Sequence, residues 1–473
     1  MGGRALTYDQ LNRAANRIAR AVLKKRGLGS EPIMSLFEHG VEAIIACIGI
    51  LKTGNILVAV DPSLPSQHIA FMLDDSQARL ILTDDKNYLV ATRLANGGRH
   101  VIAIDSVEEN LCTDNLGLRI SPDAIAQIRY SSGSAGRPKG IACNHRRFLN
   151  SRRQINEVDL IYPDDRMLIL RHPSAATRDV FKGLLVGGVV LPFDIKREGF
   201  SRLAEFIKEE RISYYSSTTS TFRYLIQELR DSETLSSVRI VYLDGEALSK
   251  REVESYKKHF SEKCLLVNMY GSNEVGGLCH FIINKDTIID TPIVPAGYPL
   301  PDKEIFIVDD NGNEVGFKQV GEIAVRSRNL FSKYWENTEL TAAKFIPDSK
   351  GGDHYIYLTG DLGCMLPDSC VIYLGRKDLE IKIRGYKVSP TEVEVAMLLH
   401  PQIQEVGVAA WDREGGEKYL AAYVVPRENT RPTVDELRQF LHAQLPDYMI
   451  PSRFVFLKEL PLTNGKQIGR AHV

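Results

Sequence analysis

The chain has 473 residues, 44% of them hydrophobic and 25% charged, the balance of a folded, water-soluble protein. Its 59 Lys plus Arg stand against 60 Asp plus Glu, a formal charge of −1, and no basic stripe interrupts the pattern. A nucleic-acid partner, which would need clustered cations, is therefore not expected, and length alone predicts about three domain-sized units. The first element read is YDQLNRAANRIARAVLKKRG, with apolar residues at helical spacing, a Lys24-Lys25-Arg26 ending and a stop at Gly27. AIIACIGILKTG predicts a second helix, and ILVAVDPSLP a buried strand leaving into a Pro-marked turn. The run VEAIIACIGILKTGNILVAV is broken by Glu42, Lys52, Gly54 and Asn55, so it falls short of the ~18 apolar residues of a membrane span.

QHIAFMLDDSQA then RLILTD, and YLVATRLANGG then VIAIDS, repeat the order helix then strand. The alternation continues through RLAEFIKEERI and YYSSTTST, then FRYLIQELRDS and VRIVYLDG, predicting parallel sheets covered by helices. After about residue 295 the texture becomes antiparallel: EIFIVDDNGNEVGFKQVGEIAVRS holds two strands and a DNGN turn. Beyond a boundary near Asp378, TEVEVAMLLHP, VGVAAWD, YLAAYVVP and VDELRQFLHAQL predict a small α+β unit. Seven cysteines without a CxxC pair fit free thiols in a reducing cytosol, and no leader of secretory type opens the chain, so a cytoplasmic location is expected. The start MGGRALTYDQL leaves little room for a preceding strand, and the final IGRAHV can be encoded by ATCGGAAGAGCACACGTC, which is similar to a sequencing-library adapter. Residues 467–473 are expected to be a non-native tail and the chain a fragment.

The segment YSSGSAGRPKG, Tyr130 to Gly140, has almost no side chain to pack. Glycines let successive backbone N–H groups converge on an anion; the hydroxyls of Ser131, Ser132 and Ser134 and the cations Arg137 and Lys139 add to that cradle. It is not a Walker loop, and read alone it is equally a flexible surface linker.

Further segments follow in order: NMYGSNEVGG, YLTGDLG, GRKDLEIKIRGYKVSPTEVE and LPLTNGK. Together with YSSGSAGRPKG, and with LKTGNILVAVDPSLPSQHIAFMLDDSQARLILTD and GEIAVRSRNLFSKYWENTELTAAKF, they resemble the adenylate-forming superfamily: nonribosomal peptide synthetase adenylation domains, acyl-CoA synthetases and luciferases. The resemblance runs from about residue 5 to Lys466. It implies an α/β fold with a large N-terminal domain, residues 1–377, of two helix-covered, mostly parallel sheets plus a small distorted β-barrel. A smaller mobile α+β domain, 378–466, would turn about Asp378.

The implied reaction joins a small carboxylic acid to ATP with Mg²⁺, releasing pyrophosphate, and passes the acyl group to a phosphopantetheine thiol. In that register Lys466 and Lys139 are catalytic cations, Glu274 holds Mg²⁺, and Asn273 stands where relatives usually carry Thr. The triphosphate loop supplies Ser131, Ser132, Gly133, Ser134, Gly136 and Lys139. Asn268 and Tyr270 face the adenine, Asp361 and Arg376 the ribose, and Gly245 also belongs to the nucleotide site. Each also has a plainer reading, Lys466 and Glu274 as surface charges, Tyr270 as core, Asp361 and Arg376 as turn or surface residues. Gly385, in the loop beginning at Lys382, would give a pantetheine arm room.

The acyl pocket is expected from Ser174, Ala175, Arg178, Ser217, Tyr242, Asp244, Met269, Gly277 and Leu278. An ungapped count back from Leu184 and Leu185 puts Ser174 where amino-acid-activating relatives carry the Asp that pairs with the α-ammonium. A buried ammonium without a carboxylate is costly, so the expected substrate is an aryl, hydroxy, keto or other acid; Asp244 stays open as a receptor for an amine placed differently. No GGxS carrier serine occurs, so the carrier is expected in trans or in a missing C-terminal portion. A free acyl-CoA synthetase and a catalytically silent binding domain remain the alternatives.

Overall fold

The computed structural model describes residues 5–131, 138–146, 158–171, 173–291, 293–327, 332–348, 354–377, 381–383, 386–388, 390–412, 418–460, 462–463 and 467–468. The first helix, Tyr8–Arg26, starts where the sequence predicts. Thr7 and Gln10 form a reciprocal capping box, Asp9 lies in the first turn, and Lys24, Lys25 and Arg26 close the last. Its buried stripe, Ala15, Ile18, Ala19 and Val22, faces the helix Val41–Lys52 and the first sheet.

That sheet has seven strands, in the order Ser332–Tyr334, Lys139–Asn144, Ile125–Ser131, Ile56–Val60, Pro32–Leu36, Leu80–Thr83, His100–Ala103. The last five are parallel, and the first two run antiparallel at one edge. Ile56–Val60 is buried at every residue, as a strand covered on both faces must be. The second sheet runs Tyr298–Pro299, Gly276–Ile283, Leu265–Ser272, Ile240–Asp244, Tyr214–Thr218, Arg166–Ile169, Val189–Pro192. Its last five strands are parallel. Helices Ile195–Glu209, Thr219–Gln227 and Lys250–His259 cover one face through Leu203, Ile207, Phe222 and Val253, packed on Val241 and Leu266.

A third sheet, antiparallel, joins Glu304–Val308, Gly321–Ser327, Tyr355–Met365 and Phe345–Pro347, with Val371–Arg376 also pairing Tyr355–Met365. Among the described residues it stays open rather than closing into a barrel. The DNGN segment does turn the chain, through Asp309 accepting from the backbones of Asn311 and Asn313, but it occupies only part of a longer connection between the two strands.

Toward the C-terminus, Ile403–Asp412, Lys418–Pro426 and Arg453–Phe456 form a three-stranded sheet covered by helices Pro390–Leu398 and Val434–His442. Its own apolar core gathers Val393, Met397, Val408, Ala422, Leu437 and Leu441. Asp378, expected as the hinge, lies outside the described residues. The helical faces of the large unit reach this one through the Tyr224 hydroxyl, which donates to Glu405, and Arg251 Nη1, which donates to the Ile403 carbonyl at 3.1 Å. Among the described residues no helix is long and apolar enough to cross a membrane.

Candidate active site

The strand Leu265–Ser272 delivers Asn268, Met269 and Tyr270, and the turn after it delivers Asn273 and Glu274. The Tyr270 hydroxyl donates to Asp361 Oδ2 at 2.6 Å. Asp361 is paired in register with Arg376 on the neighbouring strand, and Arg376 Nη1 donates to Asp361 Oδ1 at 3.0 Å and to the Thr359 carbonyl at 3.1 Å. The turn carrying this carboxylate is itself fastened. Asp361 N–H donates to Thr359 Oγ1, and Gly360 N–H to Glu322, whose other oxygen takes Lys377 at 3.0 Å. Burial, and then the facing Asp361 carboxylate, push the Tyr270 phenol well above its ordinary range, so it remains a donor. Three residues expected around the nucleotide from distant motifs thus meet in one hydrogen-bonded group.

The residues expected on the phosphate side are tied to it across the two large sheets. Arg129, on Ile125–Ser131, donates to the Asn273 carbonyl at 2.6 Å. Ser131 and Lys139 are register partners at the base of the glycine-rich hairpin. Ser132, Gly133, Ser134, Gly136 and Arg137 lie outside the described residues, as do Lys466 and Gly385; Lys382 is placed only in its backbone strand. Glu274 is partly buried, and Tyr334 donates to its Oε1 at 3.3 Å. Its carboxylate is the hard oxygen donor that would hold Mg²⁺. One protein carboxylate suffices where phosphates and water complete an octahedron, so the residues present fit that ion. Among the described residues no three His, Cys, Asp or Glu converge on a metal position. Asn268 is buried and its amide donates to the Pro295 carbonyl at 2.8 Å, so one of its donors holds a loop. Gly245, directly after Ile240–Asp244, sits at φ +83°, where a side chain would be strained.

Of the residues expected at the acyl pocket, the structure brings Arg178, Tyr242 and Asp244 together, with residues that the sequence reading left out. Arg171 donates to both oxygens of Asp244, from Nη1 at 3.0 Å and from Nη2 more closely still. Arg178 lies 3.9 Å from Asp244 and 3.9 Å from Asp179. Lys182, one helical turn further along Pro173–Val186, donates to Asp159 at 2.6 Å and covers the Tyr242 ring. Burial opposes the charge on Asp244, but Arg171 and Arg178 more than reverse it and hold the carboxyl below its ordinary range.

Ser217 is buried and donates to the Thr218 carbonyl, and Met269 packs with Tyr214 and Tyr242. A Cβ on Gly277 would lie 3.0 Å from the Met269 sulfur. Leu278 is instead enclosed with Ile141, Ile305 and Ile323 in the core between sheets. The side chains of Ser174 and Ala175 lie outside the described residues. Lys182 left one signal in the sequence, a lone charge in the apolar run VFKGLLV; Arg171 and Asp159 left none.

The pattern of the AMP-binding enzyme family matches residues 1–335, and that of the AMP-binding enzyme C-terminal domain matches residues 392–466. Tyrocidine synthase 2 of Brevibacillus parabrevis is 32% identical over 470 residues, covering 98% of this chain and 13% of that protein. Bacitracin synthase 1 of Bacillus licheniformis is 32% identical over 478 residues, 99% of this chain and 9% of its own length. The chain thus spans a small fraction of these curated relatives. Among solved structures, o-succinylbenzoate coenzyme A synthetase of Bacillus subtilis, in complex with AMP, matches with a TM-score of 0.85 at 22% identity. That match covers 99% of this chain and 93% of the other, and it establishes the shared fold. With a family pattern extending over most of its length, the chain belongs to the AMP-binding enzymes, the adenylate-forming superfamily of AMP-forming ligases.

Proposed function

We propose that this ligase activates a small carboxylic acid other than an ordinary α-amino acid as its acyl-adenylate, then loads it onto the phosphopantetheine thiol of a carrier protein. The observation that carries the nucleotide part is the Tyr270–Asp361–Arg376 group: a two-oxygen acceptor, oriented by two donors, beside an aromatic ring. Such a carboxylate accepts from both ribose hydroxyls. Glu274 would hold Mg²⁺, which when bound neutralises phosphate charge.

In this reading Lys139 and Lys466 place positive charge where the carboxylate approaches the α-phosphate. The encounter of an anion with a polyanion needs fixed cations and aligned donors more than a strong base. Asn273 donates to the phosphate from its amide in place of the hydroxyl that relatives present. Rotation about Asp378 withdraws Lys466 and brings the segment from Lys382 to Gly385 inward for the thiol.

Peptide synthetases among the relatives above 30% identity favour a carrier as acceptor. The segment RGYKVSPTEVE favours free coenzyme A, the second reading. ATP–pyrophosphate exchange over a panel of acids tests the first half-reaction, and thioester detection with a holo-carrier or with coenzyme A separates the acceptors. Absence of exchange with every acid rejects the proposal.

A further inference from the structure

Three cations and three carboxylates meet at the acyl side: Arg171, Arg178 and Lys182 with Asp159, Asp179 and Asp244. Their formal charges cancel, so the cluster is balanced without a ligand. The pairs inside it are unequal. Lys182 and Asp159 satisfy each other at 2.6 Å, and Arg171 covers both oxygens of Asp244. Arg178 stands 3.9 Å from either carboxylate, beyond hydrogen-bond length. The Nε–H of Arg171 is buried without an acceptor among the described residues. Asp244 is covered by Arg171, whereas Arg178 meets Asp244 and Asp179 only by charge, at 3.9 Å from each.

Sheet geometry explains why an arginine does this. Arg171 follows Arg166–Ile169, Asp244 ends Ile240–Asp244, and Tyr214–Thr218 lies between them. Adjacent strands are about 4.8 Å apart, so the side chain must reach across roughly 10 Å. A guanidinium on a long stem spans that gap, and its planar fork takes both oxygens. It does so over the C-terminal ends of parallel strands, where ligands of such sheets bind.

An ammonium entering beside Asp244 would need an acceptor, but Arg171 already engages that carboxylate, and the neighbouring Asp179 already balances the charge of Arg178. The added cation would leave a buried net charge, which costs several kcal/mol in low-dielectric surroundings. A keto or hydroxyl oxygen needs a donor, which Arg178, 26% exposed and 3.9 Å from either carboxylate, supplies. Resting on the adenylation reading above, we propose that Arg171 determines specificity: by locking Asp244 it selects acids bearing an oxygen acceptor, 2-oxo or 2-hydroxy acids, and refuses the matching 2-amino acids.

The test is ATP–pyrophosphate exchange with matched sets of 2-oxo, 2-hydroxy and 2-amino acids carrying aliphatic and aromatic side chains. Wild-type chain, Arg171→Leu, Arg171→Gln and the double variant Arg171→Leu/Asp244→Asn are compared, with AMP binding as the check on folding. Wild type is expected to prefer the oxo or hydroxy member. Arg171→Leu, freeing the carboxylate, should move the ratio on the order of tenfold or more toward the amino acid, and the added Asp244→Asn should abolish that gain. If Arg171→Leu fails to bind AMP, the ratio in Arg171→Gln decides. An unchanged ratio in a variant that binds AMP, or a wild-type preference for amino acids, overturns this inference alone. Wild-type silence toward every acid overturns the adenylation reading beneath it as well.

Discussion

The Tyr270 hydroxyl and Asp361 Oδ2 lie 2.6 Å apart, while Oδ1 of the same carboxylate takes Arg376 at 3.0 Å. The phenol therefore orients the carboxylate that would receive the ribose, in addition to offering its ring. Tyr270→Phe keeps the ring packed beside Tyr373 and removes only this donor. A hydrogen bond to a charged group contributes about 1.5–3 kcal/mol, so AMP affinity should fall about tenfold or more. Asp361→Ala should cost more, because it removes the acceptor itself. Calorimetric titration with AMP checks both. Unchanged affinity in Tyr270→Phe would mean that the ring alone matters.

The same group depends on backbone shape at Gly360. This residue sits at φ +74°, and a Cβ there would lie 3.0 Å from Arg376 Nη2. Gly360→Ala therefore strains the turn and pushes the guanidinium away from Asp361. Gly312 has a similar φ, +83°, with nothing within 4 Å of its built Cβ. Gly312→Ala shares the backbone penalty of roughly 1–2 kcal/mol but touches no ligand group. Both variants should melt at lower temperature, and only Gly360→Ala should lose AMP affinity. Equal affinity losses would show that the effect is general destabilisation.

Much of this architecture is legible in the sequence because it follows from periodicity. The capping box at Thr7 and Gln10 and the helix–strand alternation through residue 244 are local signals. Pro32–Leu36 escaped, being five residues opened by a proline and interrupted by Ser35. So did Arg453–Phe456, a strand mostly exposed and placed by pairing with Lys418–Pro426 rather than by its own pattern. That Tyr270, Asp361 and Arg376 meet was expected from motif order. Arg171 was not, because its partner lies 73 positions away and two strands over. Pairings of that kind arise from sheet order, which no local window contains.

Lys466 is proposed to act on the reacting groups and not on the nucleotide's resting affinity. Lys466→Ala should lower ATP–pyrophosphate exchange by about a hundredfold or more, the usual effect of removing a fixed donor from developing charge. AMP binding should persist, since Tyr270, Asp361 and Arg376 are untouched. Exchange and calorimetry on the same preparation check the pair. A variant that loses AMP binding in step with exchange would give Lys466 a binding role instead.

Acid should weaken the fold through histidines that burial keeps neutral. Burial lowers the imidazoles of His280, His145 and His400 below the ordinary 6.5, and at His280 the nearby Asp159 opposes that shift only in part. The unfolded chain then binds protons at a higher pH than the native one. Stability is present above pH 6.5 and is lost as pH falls through the lower, native values. His280→Gln should flatten part of this loss. Urea midpoints at pH 7.5 and 5.5 measure it, and equal slopes for wild type and variant would remove His280 from the account.

The ion pair of Lys182 and Asp159 gives the sharpest stability prediction. Their side chains are 7% and 4% exposed, so neither charge can turn to water. Burial depresses the Lys182 ammonium even with Asp159 beside it, which marks how much desolvation the pair already bears. Lys182→Met fills the space over the Tyr242 ring and leaves Asp159 as a buried charge without its ammonium. Destabilisation of about 3–5 kcal/mol is expected, since removing one partner costs far more than the pair contributes. Adding Asp159→Leu to Lys182→Met should recover most of that loss by removing the stranded charge. Urea unfolding of the three variants at pH 7.5 decides; a double variant no more stable than Lys182→Met would mean that packing on Tyr242, and not charge compensation, is what Lys182 supplies.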